Sequence, residues 1–373
     1  MKAPDIMPLW KDNVPYPAED AMRYPEGMTH IIAHDGRTDI LPFLHDVTIT
    51  SFEGALYIAW YNSTDAEICG SSLIRGRRSD DGGKSWSEPF AIVGKIDSAE
   101  EHFVPANLFP HGGKLYATIT EMTGKNMTSA LYIFEKGNGD SWARISQIGH
   151  GFICNTAPLK MADGRWISPA WMPMKNSTPA FPAVLISSGD DITAPWEPVL
   201  FYDPLNPRSP RIRCPETTLR IDGSRVLAFV RNDEGPSWVF SSSDFGRKWS
   251  VPMHYPMQVG NSKIFAGELQ NGARLDSSSS PGGGMGRKYL IYTQNRGYFE
   301  RSLLVIAICE PGESQYSKVY RIFEGIDAQT GRGSKWFYPC ACEQDGFLYV
   351  ACTLQEPEDF RSAVIAKIPA GAL

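Results

Sequence analysis

The 373-residue sequence has no long apolar run, no surplus of basic residues and no second pair of closely spaced cysteines. No stretch approaches the ~18 apolar residues that a membrane-spanning helix needs. The first residues also lack the charged-then-apolar layout of a signal peptide. We therefore expect no membrane partner and a cytoplasmic location for the chain as it stands, or a secreted or periplasmic one if a leader has been removed.

The charge and the cysteines exclude further classes of protein. The formal net charge is -6 and the pI is near 5.7, which argues against a wide nucleic-acid surface but leaves room for a local basic pocket that binds an acidic sugar. Of seven cysteines, only Cys340 and Cys342 are close together, and no second pair completes a zinc site. We expect reduced, buried cysteines, no metal site and no cofactor.

One eight-residue pattern occurs twice. Residues 79–86 (SDDGGKSW) and 242–249 (SSDFGRKW) both read S-x-D-x-G-x-x-W. The Ser and Asp side chains can bond to backbone N–H groups in a tight turn, and Gly supplies the positive φ that such a turn often needs. The Trp side chain can pack beneath the turn as an apolar plug. A recurring structural turn of this kind predicts a fold made of repeats.

Glycine-containing turns also recur before strand-like apolar segments, at positions 54, 113, 164, 223, 286 and 346. Subtracting neighbouring positions gives spacings of 59, 51, 59, 63 and 60 residues, so the chain divides into six nearly equal units. Alternating and β-branched segments predict several short strands in each unit. We predict an all-β, six-bladed β-propeller, with a pair of two-sheet sandwiches as the alternative. We expect one domain over residues 1–373, with residues 1–40 or the tail 362–368 closing the ring.

The repeated turn resembles the Asp-box, or BNR repeat, of the sialidase (neuraminidase) superfamily, whose architecture is a six-bladed propeller. The resemblance covers roughly residues 40–368 and indicates a divergent member. It implies a glycoside hydrolase with a tyrosine nucleophile that is activated by a glutamate, because a carboxylate nucleophile would be repelled by the substrate carboxylate. It also implies an acid/base aspartate and three arginines that bind the substrate carboxylate.

Four positions match these family roles. Tyr338, in the segment WFYP, matches the nucleophile, and Glu216, in RCPET, matches the activating glutamate. Arg231, in FVRND, matches one arginine of the triad, and Asp65, at the end of YNSTD, matches the acid/base aspartate. The resemblance therefore predicts that these side chains meet at the axis of the ring.

Other positions depart from the family pattern. The family's first blade begins with Arg-Ile-Pro, whereas residues 42–46 read PFLHD, so His45 and Asp46 stand near the place of the missing arginine. We take both as candidates for acid/base transfer, since histidine titrates between pH 5 and 8. The region of the third arginine holds Lys263 and Arg301. Candidates for substrate binding are Arg231, Lys263, Arg301, Asn107 and Asn155.

Three functions follow from these residues. The first is a sialidase-like, exo-acting glycosidase on a terminal, possibly acidic, sugar. The second is a propeller lyase that uses His45 and Tyr338 as base and acid on a uronate-containing glycan. The third is a non-catalytic propeller that binds glycans on aromatic side chains such as Trp171. All three predict a carbohydrate partner and no nucleic acid, and the oligomeric state stays open.

Overall fold

The strands of this chain form six four-stranded antiparallel sheets arranged as the blades of a propeller. The computed structural model describes residues 8–64, 66–67, 72–95, 102–123, 128–173, 179–254, 257–269, 286–325 and 333–373. Within these ranges the helices are three short 3-10 segments, Glu19–Ala21, Gly36–Thr38 and Ala370–Ala372, and no helix there is long and apolar enough to cross a membrane. The predicted all-β, six-bladed fold is confirmed.

The first three blades follow a single strand, β1 (Thr29–His34), which belongs to the last blade. Blade one comprises β2 (Phe43–Phe52), β3 (Ala55–Ser63), β4 (Leu73–Ser79) and β5 (Phe90–Val93). Blade two comprises β6 (His102–His111), β7 (Lys114–Met122), β8 (Thr128–Lys136) and β9 (Trp142–Gly149). Blade three comprises β10 (Leu159–Lys160), β11 (Trp166–Met172), β12 (Phe181–Ile186) and β13 (Glu197–Leu200).

The remaining strands complete the ring. Blade four comprises β14 (Thr217–Asp222), β15 (Arg225–Val230), β16 (Trp238–Ser242) and β17 (Met253–His254). Blade five comprises β18 (Phe265–Leu269), β19 (Arg287–Thr293), β20 (Leu303–Cys309) and β21 (Lys318–Glu324). Blade six contains β22 (Lys335–Gln344), β23 (Phe347–Gln355) and β24 (Arg361–Pro369), with β1 as its fourth strand.

The two ends of the chain meet in blade six. Strand β1 pairs antiparallel with β24, and the order in this sheet is β1-β24-β23-β22. The N-terminal segment and the C-terminal tail therefore both contribute a strand to the sheet that joins the last blade to the first. Backbone hydrogen bonds, and not packing alone, hold the circle closed.

Apolar side chains between the blades make the core. The described residues form six buried clusters. Five of them draw their strand residues from two neighbouring blades, and the cluster between blades one and two also includes Trp171 of blade three. Trp60 and Tyr349, for example, belong to the cluster between blades one and six. Because every blade contributes both faces to this packing, the innermost strands are fixed relative to one another around the axis.

The two repeated turns connect the third strand of a blade to its fourth. In the first copy, Ser79 Oγ accepts a bond from Gly83 N–H, and Asp81 Oδ1 accepts one from Ser85 N–H, both at 2.9 Å. Gly83 has φ +88°, which L side chains rarely adopt. The second copy repeats the two bonds at 2.9 and 2.8 Å. In both turns the Ser and Asp side chains thus satisfy two backbone N–H groups of the turn itself.

Candidate active site

The innermost strands of three blades are bulged where they approach the axis. The pairing register shifts between His45 and Thr48 in β2 and between Phe337 and Cys340 in β22, and a similar shift occurs in β6. The bulges hold Asp46 at φ 56° and Tyr338 at φ 61°. A non-glycine residue in this region costs on the order of 1–3 kcal/mol, and such strain is concentrated at functional sites. Bulges also re-aim side chains, here toward the axis.

A cavity of about 520 Å³ lies where these strands converge, and we call it the central cavity. Its size is in the range of small-molecule sites. All six blades contribute to its wall, which includes Phe43, His45, Asp46, Glu67, Pro105, Asn155, Trp171, Glu216, Arg231, Asp233, Arg301, Phe337, Tyr338 and Arg361. A third strained residue, Cys214 with φ 55°, also lines it.

Arg231 is the hub of a buried polar network in the cavity wall. Its Nη1 donates to Glu216 Oε2 and, at 2.7 Å, to the hydroxyl of Tyr338, while its Nε donates to Asp233 Oδ1 at 2.8 Å. All four side chains are buried. The Arg231 guanidinium thus connects Glu216 and Tyr338, which the sequence places in family roles, and it also binds Asp233, which the sequence analysis missed.

The protonation states in this network follow from burial. Burial raises the pKa of Tyr338 well above its usual value, and the Arg231 charge only partly opposes this. Burial likewise raises the pKa of Asp233 against the pull of Arg231. The resting Tyr338 is therefore a neutral phenol whose oxygen already accepts a charge-assisted bond. A base must remove its proton before it can act as a nucleophile.

A second buried network lies behind the first. The Lys263 ammonium bonds to Asp46 Oδ1 and, at 3.0 Å, to the backbone carbonyl of Asn155. The Asn155 amide then donates to Glu216 Oε1 at 3.3 Å and accepts from Trp171 Nε1 at 2.7 Å, so it joins the two networks. Burial raises the pKa of Asp46 to about 6, with Lys263 opposing the shift. Lys263 itself is only 2% exposed and is not among the described residues that line the cavity.

His45 packs directly against the tyrosine. Its ring centroid lies 4.2 Å from that of Tyr338. Burial, together with the neighbouring cations such as Arg361 and Arg301, lowers the pKa of His45 well below its usual value, so the imidazole is neutral. Within the described part of the chain, its buried Nδ1 has no hydrogen-bond partner. The ring therefore has a nitrogen that can make a hydrogen bond to a bound molecule.

Two further arginines line the cavity without a carboxylate partner in the described ranges. Arg301 donates to the backbone carbonyl of Asn261 at 2.6 and 3.1 Å, and its Cζ lies 5.0 Å from the Phe337 ring centroid. The Cζ of Arg361 lies 4.0 Å from the Phe43 centroid and 5.7 Å from that of Phe337. Because neither guanidinium is neutralised by a described acidic group, both are available to a ligand anion.

Arg361 escaped the sequence analysis, although a signal was present. Arg231 and Arg301 lie between the second and third strands of blades four and five, and Arg361 is the first residue of the third strand of blade six. If the six repeats are aligned by their strands, Arg361 falls close to the position that Arg231 and Arg301 occupy in their own blades. The same connection in blade one carries Glu67, which also lines the cavity.

Of the predicted site residues that are described, Asn107 and Lys263 are not among those that line the cavity. Asn107 is buried between blades two and three, where its amide donates to the Cys154 carbonyl at 2.7 Å and to Thr118 Oγ1 at 3.3 Å. The bulge in β6 directs Val104 and Pro105 to the cavity instead. Asp65 lies outside the described residues. Among the residues that are described, no cluster of His, Cys, Asp and Glu could hold a metal ion.

Comparisons with known proteins agree with this architecture. A family model described as a BNR repeat-like domain matches residues 54–350. The comparison with curated proteins gave no match. Trypanosoma rangeli sialidase in complex with sialic acid is 13% identical, with a TM-score of 0.70 over 93% of this chain and 60% of that one. The same sialidase in complex with 2,3-difluorosialic acid, a covalent intermediate, is 14% identical, with a TM-score of 0.69 over 94% and 60%.

A Dyadobacter fermentans protein of unknown function is also similar, at 14% identity and a TM-score of 0.66 over 92% of this chain and 99% of that one. The chain spans about 60% of the length of the Trypanosoma sialidase. At these identities the likeness concerns the fold alone. It confirms the sialidase-like propeller and the resemblance that the Asp-boxes indicate.

Proposed function

The chain belongs to the BNR repeat-like domain family, and we propose that it is a sialidase-like glycoside hydrolase that releases a terminal, acidic sugar bound in the central cavity. The observation that carries this proposal is the shared guanidinium: Arg231 Nη1 bonds to both the Glu216 carboxylate and the Tyr338 hydroxyl. This arrangement provides a nucleophile, a base and a cation that stabilises the phenolate in one buried network.

The proposed reaction begins at the tyrosine. Glu216 withdraws the phenolic proton, and the Tyr338 oxygen bonds to the anomeric carbon while the glycosidic C–O bond breaks. Asp46, whose pKa is about 6, or Asp65 gives a proton to the departing oxygen. Water then attacks the anomeric carbon and gives one proton to the aspartate that acted as the acid, while the bond to the Tyr338 oxygen breaks and the phenolate regains its proton from Glu216. The Trypanosoma sialidase, which has the same fold, forms a covalent intermediate with a fluorinated sialic acid.

The preference for an acidic sugar follows from the charges in the cavity. Arg231 is offset by two carboxylates and Lys263 by Asp46. Arg301 and Arg361 are not paired with any described carboxylate. Both face the cavity in which the sugar would lie, and a guanidinium binds a carboxylate through two parallel hydrogen bonds.

Replacing the nucleophile tests the proposal. We expect Tyr338→Phe to lower turnover of acidic aryl glycosides by ~10³-fold or more, because the variant retains the ring and loses the attacking oxygen. The matched control is Tyr202→Phe, since the Tyr202 hydroxyl is buried without a described partner and is not among the described cavity-lining residues. A panel of aryl glycosides with and without a carboxylate measures the substrate preference. Full activity of Tyr338→Phe would refute the mechanism.

One observation favours a second function, that of a lyase. The neutral His45 ring lies against Tyr338, with 4.2 Å between the ring centroids, and has an unpaired Nδ1 among the described residues. In this reaction His45 removes the proton beside a uronate carboxylate, and Tyr338 protonates the leaving oxygen. This elimination leaves a conjugated double bond in the product, which absorbs ultraviolet light. Incubation with a polyuronate distinguishes the reactions, because hydrolysis releases sugar without this absorbance. Binding without any product would instead identify a glycan-binding propeller.

A further inference from the structure

A small cavity lies between blades four and five, and we call it the junction cavity. Its volume of about 10 Å³ is close to the room that one water molecule needs, so it admits a single small ligand. Arg220, Leu227 and Ser241 lie directly opposite one another in β14, β15 and β16, so their side chains share the face of blade four that lines it. Leu9 of the N-terminal segment and Ser314 of the β20–β21 connection line it as well.

Arg220 is a buried cation whose described partners are all uncharged. Its side chain belongs to a residue that is only 7% exposed. Its Nη1 donates to the Tyr316 hydroxyl at 3.1 Å, and its Nη2 donates to the Ser314 backbone carbonyl at 3.3 Å. Charges that are removed from water are generally paired with an opposite charge, because an isolated buried ion is unfavourable. Arg220 therefore requires a negative charge that the described part of the chain does not place beside it.

The carboxylates near the junction cavity already have other partners. Asp222 pairs with Lys288 at 3.1 Å, and Glu313 pairs with Lys11 at 2.5 Å. Glu268, on the neighbouring strand β18, accepts a backbone N–H at 3.0 Å. In the described ranges none of these carboxylates lines the cavity, whereas two arginines do.

Several hydrogen-bond donors at the cavity are available to a ligand. The Nε of Arg220 is buried and has no hydrogen-bond partner in the described part of the chain. Arg225 also lines the cavity, and its side chain has no ion pair with a described residue. Ser241 adds a hydroxyl on the same face. Guanidinium N–H groups donate and never accept, so the two arginines together suit an anion better than they suit water.

We propose that the junction cavity binds a chloride ion, which is the counter-ion of Arg220. The ion accepts the Nε–H of Arg220 and is further held by Arg225 and the Ser241 hydroxyl. The small volume suits a monatomic anion rather than a larger oxyanion such as phosphate. The bound ion neutralises the buried charge and so stabilises the contact of blade four with blade five and the N-terminal segment. The proposal is independent of the proposed function, because the cavities share no described lining residue.

The first test is thermal unfolding of the full chain at constant ionic strength, with sodium chloride replacing sodium gluconate. We expect the melting temperature to rise by about 2 °C or more as chloride rises from about 5 to about 200 mM. Arg220→Met should abolish this rise. The matched control is Arg77→Met, which should keep it, because the Arg77 Nε is also buried without a described partner but Arg77 does not line the junction cavity.

Two milder variants keep the test decisive if Arg220→Met does not fold. Arg225 and Ser241 are only partly buried, and we expect Arg225→Gln and Ser241→Ala each to weaken the apparent chloride affinity by about threefold or more. A melting temperature of the unaltered chain that does not depend on chloride would overturn the proposal. So would a rise that persists in Arg220→Met, or one that is unchanged in both milder variants.

The second test locates the ion. Crystals of the full chain are grown with bromide in place of chloride, and anomalous scattering at the bromine edge is measured. We expect an anomalous peak within about 3.5 Å of the Arg220 Nε, and no peak at that place in Arg220→Met. Density without anomalous signal would identify a water molecule and refute the chloride site, and bromide bound only elsewhere would refute it equally.

Discussion

Two aspartates of this propeller, one in a tight turn and one in a strand bulge, have opposite shifts of their carboxyl pKa. Asp81, in the first repeated turn, is exposed and accepts bonds from Ser79 Oγ and from the N–H and hydroxyl of Ser85. These bonds, those from Ser85 first, lower its pKa. Asp46, in the bulge of β2, is buried against Lys263, and burial raises its pKa to about 6. The surroundings, and not the residue type, decide which form of the carboxyl the fold favours.

The same contrast explains what the sequence could predict. The side-chain bonds of Ser79 and Asp81 are made within eight consecutive residues, so the pattern is visible in the sequence and its repetition predicts the propeller. The network of Arg231 joins residues 107 positions apart, and Asp46 meets Lys263 across 217 positions. Such contacts exist only once the ring has closed.

Some residues of the central cavity could be predicted from the sequence and others could not. Tyr338, Glu216 and Arg231 were found because they match a known family pattern, and the structure brings them into one network. Asp233 and Arg361 match no such pattern, and their positions depend on the strand connections at the cavity end of the blades. Asn107 is a candidate for substrate binding in the sequence, but the bulge before it in β6 shifts the side-chain alternation by one residue, and Val104 and Pro105 line the cavity instead.

The contrast between Asp81 and Asp46 predicts that the largest loss of stability follows from breaking the buried ion pair of Asp46 and Lys263. Lys263→Met leaves the Asp46 carboxyl buried without its cation, and breaking one side of such a pair costs about 3–5 kcal/mol of unfolding free energy. Urea unfolding at pH 7 measures the loss. The double variant Asp46→Asn/Lys263→Met is the control, and it should recover part of the stability. A loss below about 1 kcal/mol would mean that the pair is effectively solvated.

A smaller effect concerns pH. The folded-state pKa of Asp46, about 6, is above its usual 3.8, so between these values the folded protein holds a proton that the unfolded chain has released. Stability from this group therefore falls as pH rises from about 4 to about 6, by on the order of 3 kcal/mol. Asp46→Asn should remove this component. Urea unfolding of both proteins from pH 4 to 7 checks it, and parallel stability curves would contradict the raised pKa.

The smallest effect is expected in the outer turn. Ser79 is buried, accepts the Gly83 N–H and donates to Asp81, so Ser79→Ala removes two local bonds at once. We expect the unfolding free energy to fall by about 1 kcal/mol, as it does when the side chain that caps a helix N-terminus is removed. Turnover should not change, because Ser79 contacts no described residue of the central cavity. Ser242→Ala should lower the unfolding free energy by a similar amount, since in the second turn Gly246 N–H donates to Ser242 Oγ in the same way. If either substitution altered kcat without altering stability, the repeated turns would be coupled to the central cavity. The view that the turns serve only the fold and the cavity only the reaction would then be wrong.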